Sequence, residues 1–243
     1  MLSLYTSMAG LQAITARMDA VSSNLANVQT PGYAAVQAMT EAAPYTGGNA
    51  PGGADAVALT PGPDTTPGAL SHTGDPFDVG LSGNAWLQVQ TANGNALTRN
   101  GSLQLSAAGI LTDAQGDPVL NTGGSPISLP SLAKLQIGAD GTVSGVPSSS
   151  PGGLAQSFGQ IALVTAPATS LTDLGNSLYA PASTPLPATD AKLEQGYLNG
   201  SNVDPTQAMM DLIQDSRSYQ LQTELMKTQT GSDAGLNTLL AQG

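Results

Sequence analysis

Residues Leu4–Tyr33 read LYTSMAGLQAITARMDAVSSNLANVQTPGY. Apolar side chains fall at Leu4, Met8, Leu11, Ile14, Met18, Val21, Leu25 and Val28, in steps of 4, 3, 3, 4, 3, 4 and 3. This spacing predicts an amphipathic helix. From Leu11 onward the alternation of threes and fours is a heptad seam, which keeps one helical face against a partner over several turns. Pro31 disfavours helical dihedrals at Thr30 and Gly32 permits a turn, so the helix is expected to end near Val28–Gln29. Two asparagines crowd that end. Asn is a mediocre helix former because its amide competes for backbone hydrogen bonds, so Asn24 and Asn27 need a reason beyond propensity. Helical geometry puts Asn24 at the edge of the apolar stripe and Asn27 roughly 150° from its centre, so one partner helix cannot use both.

The other end of the chain mirrors this. In SNVDPTQAMMDLI, Ser201–Ile213, Asp204 stands as N-cap, Pro205 at the first helical position and Gln207 at the third, the pattern of a capping box. A second helix is expected from Pro205 to about Gln229, where Gly231 and Gly235 weaken it. Its apolar face is broader: Met209, Leu212, Ile213, Tyr219, Leu221, Leu225 and Met226.

Between the helices the period changes. From Trp86 to Leu120, short alternating runs such as Leu87/Val89 and Leu103/Leu105 are separated by Gly94, Gly101, Gly109 and Gly116. Asn93-Gly94 and Asn100-Gly101 are pairs that two-residue hairpin turns prefer, so an antiparallel meander is predicted. Further strands are expected at Ile127–Leu129, Leu135–Ile137, Thr142–Val146 and Gln160–Val164, with a hairpin turn at Asp140-Gly141. Pro44–Ala69 carries five prolines and reads as an extended or irregular connection. The expected fold class is therefore α+β: terminal α-helices packed as a coiled coil, and a central β-rich domain of short antiparallel strands. The expected parts are an N-terminal helix (1–30), a Pro/Gly-rich connecting segment (31–70), a β-rich domain (71–200) and a C-terminal helix (201–243).

Composition restricts the function. Six Lys and Arg against 17 Asp and Glu give a net charge of −11, which opposes binding to nucleic acid or an anionic membrane. Cysteine is absent, which excludes disulfides and thiolate chemistry. No apolar run approaches a membrane span, and Met1–Ala20 lacks the basic start and unbroken apolar run of a secretory signal, so neither insertion nor a cleaved leader is expected.

Chemistry is sparse. His72 is the sole histidine, and only Asp75 and Asp78 lie near it, so a loop or strand-edge role is expected rather than a metal site or triad. No phosphate loop or nucleophile elbow occurs. The sole tryptophan, Trp86, is expected to pack against the second face of a small sheet; Arg99 reads either as the partner of an acidic group or as a solvated turn charge. No catalytic, cofactor, metal or small-molecule site is expected.

The segments SSNLANVQTPGY (Ser22–Tyr33) and GYLNGSNVD (Gly196–Asp204), with the intervening TPGALSHTGDPFDVGLSGNAWLQVQTANGNALTRNGS, resemble the paired signatures and central domain of bacterial flagellar rod and hook proteins. The resemblance implies a non-catalytic axial subunit, exported by the flagellar type III apparatus without a cleaved signal and polymerised helically with copies of itself and other rod proteins into the rod that crosses the periplasm. It implies that the terminal helices form the inner coiled-coil layer of a tube and the β-rich part the outer one. Asn24, Leu25, Ala26, Asn27, Thr30, Pro31 and Gly32 match the N-terminal signature, and Ser201, Asn202 and Val203 the C-terminal one. With the seam residues Leu11, Ile14, Met18 and Val21, these are the expected subunit-interaction residues. In a tube each helix touches several neighbours, so Asn24 and Asn27 are expected to hydrogen-bond between chains and fix register. The other classes in contention are an extracellular β-rich adhesin and a secreted enzyme; paired terminal helices favour the axial subunit.

Overall fold

The computed structural model describes residues 2–37, 39–44, 54–59, 62–149 and 152–240, with the side chains of 2–6, 40–44, 54–59, 229–230 and 232–240 outside that description. The chain divides into two compact units: one of residues 1–26, 36–61 and 204–243, the other of 27–35 and 62–203.

The helical unit holds α1 (Leu2–Ala26), a hairpin of β1 (Met39–Pro44) and β2 (Ala54–Leu59), and, at the end of the chain, α2 (Pro205–Leu240). Two expectations change here. The connecting segment carries regular structure, because β1 and β2 pair antiparallel from Met39↔Leu59 to Pro44↔Ala54. Its prolines do not forbid this: Pro44 closes its strand, and a two-stranded ladder has no central strand to interrupt. The stretches 45–53 and 60–61 lie outside the described residues. Helix α2 also continues through Gly231 and Gly235, since a helical glycine costs only about 1 kcal/mol and does not by itself end a helix.

The helices run antiparallel, with Arg17 opposite Asp215 and Ser7 opposite Gln222. Gly10, Arg17 and, by helical geometry, Ala13 lie on the α1 face turned to α2. Ala13 is buried, and a Cβ on Gly10 would lie 3.4 Å from the Gln222 amide. The expected seam of Leu11, Ile14, Met18, Val21 and Leu25 sits roughly 100° further round and is only half-buried. β2 also runs against α1.

The β-rich unit contains β3 (Leu70–His72), β4 (Val79–Ser82), β5 (Trp86–Thr91), β6 (Gly94–Thr98), β7 (Gln104–Leu105), β8 (Leu111–Thr112), β9 (Leu132–Ile137), β10 (Thr142–Pro147) and β11 (Gln156–Gln160). It continues with β12 (Leu163–Thr165), β13 (Leu171–Gly175), β14 (Leu178–Pro181), β15 (Leu186–Pro187), β16 (Lys192–Gln195) and β17 (Tyr197–Asn199). A six-stranded sheet has the order β13-β14-β6-β5-β12-β15, and β11-β10-β9 form a second sheet. The pairs β16-β4, β17-β3 and β7-β8 complete the unit. The middle is thus not a simple meander, because β6 pairs with β14 on its far side.

Alternation along β5 serves two cores. Leu87 and Val89 join a large cluster with Val79, Leu103 and Ile161, while Trp86 enters a smaller one with Ala34, Leu97 and Tyr179. The packing role expected of Trp86 holds, since it is fully buried. Buried aliphatics recur at Leu103, Leu111, Val119 and Ile127. The last three close a ring of backbone bonds: Leu111 N–H donates to Ile127, Ile127 to Val119 and Val119 to Leu111.

Turn chemistry is partly as read. Asp140-Gly141 lies in the β9–β10 hairpin, and Gly94 takes a positive φ at the tip of β5–β6. Thr91 pairs directly with Gly94, so the two-residue loop is Ala92-Asn93 rather than Asn93-Gly94. Asn100-Gly101 makes no hairpin. A Cβ on Gly101 would meet the Val79 carbonyl, and this glycine is there for close backbone approach. In the run Ile127–Leu129 the two aliphatics are buried and Ser128 is exposed, bridged singly to Ile110 rather than forming a strand.

Candidate functional site

With catalysis unsupported by the sequence, the candidate site is the pair of signature segments. Helix α1 ends at Ala26, two to three residues earlier than expected, so Asn27 stands beyond it in a turn. There the Asn27 carbonyl accepts from Thr30 N–H at 3.1 Å, and its Oδ1 accepts from Thr30 Oγ1 at 3.1 Å. Asn24 remains in the last helical turn. Its Nδ2 donates to the Val36 carbonyl at 2.9 Å and its Oδ1 accepts from Val36 N–H at 2.8 Å. The side chain grips one residue as a neighbouring strand would.

Beyond the helix, residues 27–35 belong to the β-rich unit. Gly32 has φ +68°, its N–H donates to the Asn199 carbonyl at 2.8 Å, and a Cβ there would lie 2.3 Å from backbone atoms of Arg99 and Asn100. Ala34 exchanges two hydrogen bonds with the Tyr179 hydroxyl, donating from N–H and accepting at its carbonyl, both at 3.2 Å. Asn202 ties three segments. Its Oδ1 accepts from Ala35 N–H at 2.7 Å, and its Nδ2 donates to the carbonyls of Asp64 at 3.1 Å and Thr66 at 3.0 Å.

Asn199 grips Leu81 from both sides, at 2.7 and 2.9 Å. An acid could not donate to the Leu81 carbonyl unless protonated. Ser201 Oγ accepts from Val203 N–H at 3.3 Å. Within the β-rich unit Asn202 holds Ala35, and within the helical unit Asn24 holds Val36.

Arg99 is neither of the two things the sequence left open. It is buried, with its guanidinium 4.3 Å from the Trp86 ring centroid, Nε donating to the Ala85 carbonyl and Nη2 to Asn84 Oδ1. Burial pushes its pKa down to about 10 against the opposing charge of Asp64, so it stays protonated at neutral pH. His72 stands at a strand edge as expected, edge-on to Tyr197 at 4.9 Å.

Helix α2 starts as read. Asp204 Oδ1 accepts from the N–H groups of Thr206 and Gln207. The capping box is only half made, because the Gln207 side chain donates forward to Asp211 instead of back. Further along, α2 presents two faces. Ala208 and Asp215 are buried, whereas Met209, Met210, Ile213, Leu221 and Leu225 are exposed on the opposite side. The single broad apolar face read from sequence merges two surfaces.

Asp215 faces Arg17, whose Nε lies 3.1 Å from Oδ2. Burial nevertheless raises its pKa, with Arg17 opposing and Asp211 adding to the rise. Asp113, buried in the turn before Asp117, is raised by burial too. A carboxyl with a raised pKa binds its proton more tightly folded than unfolded, so stability falls as pH rises from the ordinary carboxylate value through the raised one. The helical unit should thus melt at higher temperature just below that window than at neutral pH. Asp215→Asn should flatten the dependence in helix-monitored melts; an unchanged slope would assign it to other groups.

Three family profiles match the chain: flagella basal body rod protein over residues 4–33, flagellar hook protein FlgE/F/G D1 domain over 80–145, and flagellar basal body rod FlgEFG protein C-terminal over 194–239. The flagellar basal-body rod protein FlgF of Escherichia coli (strain K12) is 34% identical over 98% of both chains. The chain belongs to the flagellar basal-body rod protein family. The FlgF proteins of Salmonella typhimurium, at 34% identity over 98% of both chains, and of Mesorhizobium japonicum, at 33% over 98% of this chain and 97% of the relative, are similar to it as well. It is a structural protein of the flagellum and not an enzyme, and membership implies assembly with itself and with other rod and hook proteins. Among the described residues no helix is long and apolar enough to cross a membrane, and no three His, Asp or Glu side chains group to hold a metal.

Proposed function

We propose that the chain is an axial subunit of the rod that crosses the periplasm, exported through the flagellar type III apparatus without a cleaved signal. It polymerises helically through its terminal helices, which form the inner coiled-coil layer, with the β-rich unit outside. The observation that carries this is the unspent apolar surface of the helical unit. The α1–α2 contact runs through Gly10 and the Arg17–Asp215 pair, while Leu11, Ile14, Met18, Val21 and Leu25 are half-buried and Met209, Ile213, Leu221 and Leu225 exposed. An apolar face of this extent on a helix marks a surface for another chain. A contact between different faces of successive copies does not close on itself and generates a helical filament.

The residues of the proposal divide by role. The aliphatic stripe of α1 and the outer face of α2 meet neighbouring subunits, while Asn24, Thr30, Gly32 and Asn202 hold the segments from which the helices leave. The test is Ile213→Lys with Leu221→Lys. Both positions are exposed, so folding should be unaffected to within about 0.5 kcal/mol per site. Rods and motility should be lost while export continues. Normal motility would count against the proposal.

A further inference from the structure

Three Asn-Gly dipeptides occur in the chain, at 93–94, 100–101 and 199–200, and the fold treats them differently. In this dipeptide the Gly nitrogen can attack the Asn side-chain carbonyl because glycine offers no steric barrier and reaches the required backbone angles. The nitrogen forms a bond to Cγ, the C–N bond of the amide breaks and ammonia leaves, giving a succinimide. Water then opens the ring to aspartate or isoaspartate.

At Asn199 both halves of the reaction are blocked. The side-chain amide is held by Leu81 N–H and carbonyl, the Gly200 N–H donates to Ala69 at 2.8 Å, and Asn199 is 1% exposed. At Asn100, Oδ1 accepts from Ser102 N–H at 3.1 Å and Gly101 is pressed against the Val79 carbonyl. Asn93 differs in its exposure and in the open space at its glycine. It is exposed at the tip of the β5–β6 hairpin, and a Cβ on Gly94 would meet nothing within 4 Å. Two hydroxyl bonds from Thr91 brace the tip, accepting from Asn93 N–H at 3.3 Å and donating to the Gly94 carbonyl at 2.8 Å. Thr91↔Gly94 is the terminal rung of its ladder, the part that opens most readily.

We propose that Asn93 is a spontaneous deamidation site of the folded protein, and that Asn100 and Asn199 are shielded from the same reaction by the backbone they hold. The product adds one negative charge at the hairpin tip. This rests on the β-rich unit alone and is independent of assembly.

The full-length chain would be incubated at mildly alkaline pH and its peptides mapped by mass spectrometry, with isoaspartyl methylation as a second readout. In the folded chain Asn93 should convert more than about tenfold faster than Asn100 or Asn199, because terminal rungs open at almost no cost whereas buried sites need wider unfolding. In denaturant the three should convert at similar rates. Asn93→Gln, which would need a larger ring, should abolish the change at that peptide. Conversion of Asn93 no faster than that of the two buried sites in the folded chain would overturn the proposal.

Discussion

Gly32→Ala should destabilise the β-rich unit by about 3–5 kcal/mol, among the largest effects of any single methyl group in the chain. A left-handed φ costs an ordinary L-residue about 1–2 kcal/mol. The added Cβ would also sit 2.3 Å from the backbone of Arg99 and Asn100, where no flexible side-chain end can swing aside. Relief of that overlap must move either the turn after α1, at the cost of the Gly32–Asn199 hydrogen bond, or the backbone that follows β6. Gly116→Ala is the control: its φ is +91°, but a Cβ there meets nothing within 4 Å, so only the dihedral cost of about 1–2 kcal/mol is expected. Denaturant midpoints at constant m would measure both. Equal losses would show that Gly32 is kept for its dihedral and not for the close approach.

Asn202→Ala should cost about 2–4 kcal/mol, since it strands the Ala35 N–H and the carbonyls of Asp64 and Thr66, with unmet buried groups costing about 1–3 kcal/mol each and the more exposed Thr66 carbonyl regaining water. Asn202→Asp separates the two halves of the function. A carboxylate still accepts from Ala35 but cannot donate to either carbonyl, so Ala35 amide exchange should stay slow in the aspartate variant and become fast in the alanine one. Fast exchange at Ala35 in the wild-type chain would remove the basis of the claim. Asn24→Ala should release Val36 in the same way.

These two residues mark where sequence reading stops. The start of α2 was legible because its rule is local, Asp204 with Pro205, and the end of α1 to within two to three residues from Pro31 and Gly32; the end of α2 was not, since a helical glycine does not by itself stop a helix. The β-rich middle was legible from alternation and glycine spacing. Nothing local shows that Asn202 holds Ala35, or Asn199 Leu81, because these partners are far apart in the chain and side-chain amides have no periodicity. Of the two amides expected to bond between chains, Asn24 is engaged on Val36 and Asn27 on Thr30 within the chain itself. Arg99 misled for a similar reason: its burial depends on the Trp86 ring lying across the β5–β6 pair. The apolar stripe of α1 lies half-buried on the helix, and hydrophobic spacing cannot say which partner a stripe meets. Here Gly10, which carries little hydrophobic signal, faces Gln222 of α2, and the charged Arg17 pairs with Asp215.

The central claim is that the apolar stripe of α1 and the outer face of α2 meet other subunits, while the face carrying Gly10, Ala13 and Arg17 closes the chain on itself. Because the protein has no cysteine, single introduced cysteines report contacts without background. Oxidative cross-linking in isolated basal bodies of variants carrying Cys at Leu11, Leu221 or Ala13 is the direct measurement. The account predicts interchain disulfides from Leu11→Cys and Leu221→Cys, whether to a second copy or to a cysteine placed in an adjoining rod protein, and none from Ala13→Cys. Cross-links from Ala13→Cys with Leu11→Cys and Leu221→Cys silent would contradict it.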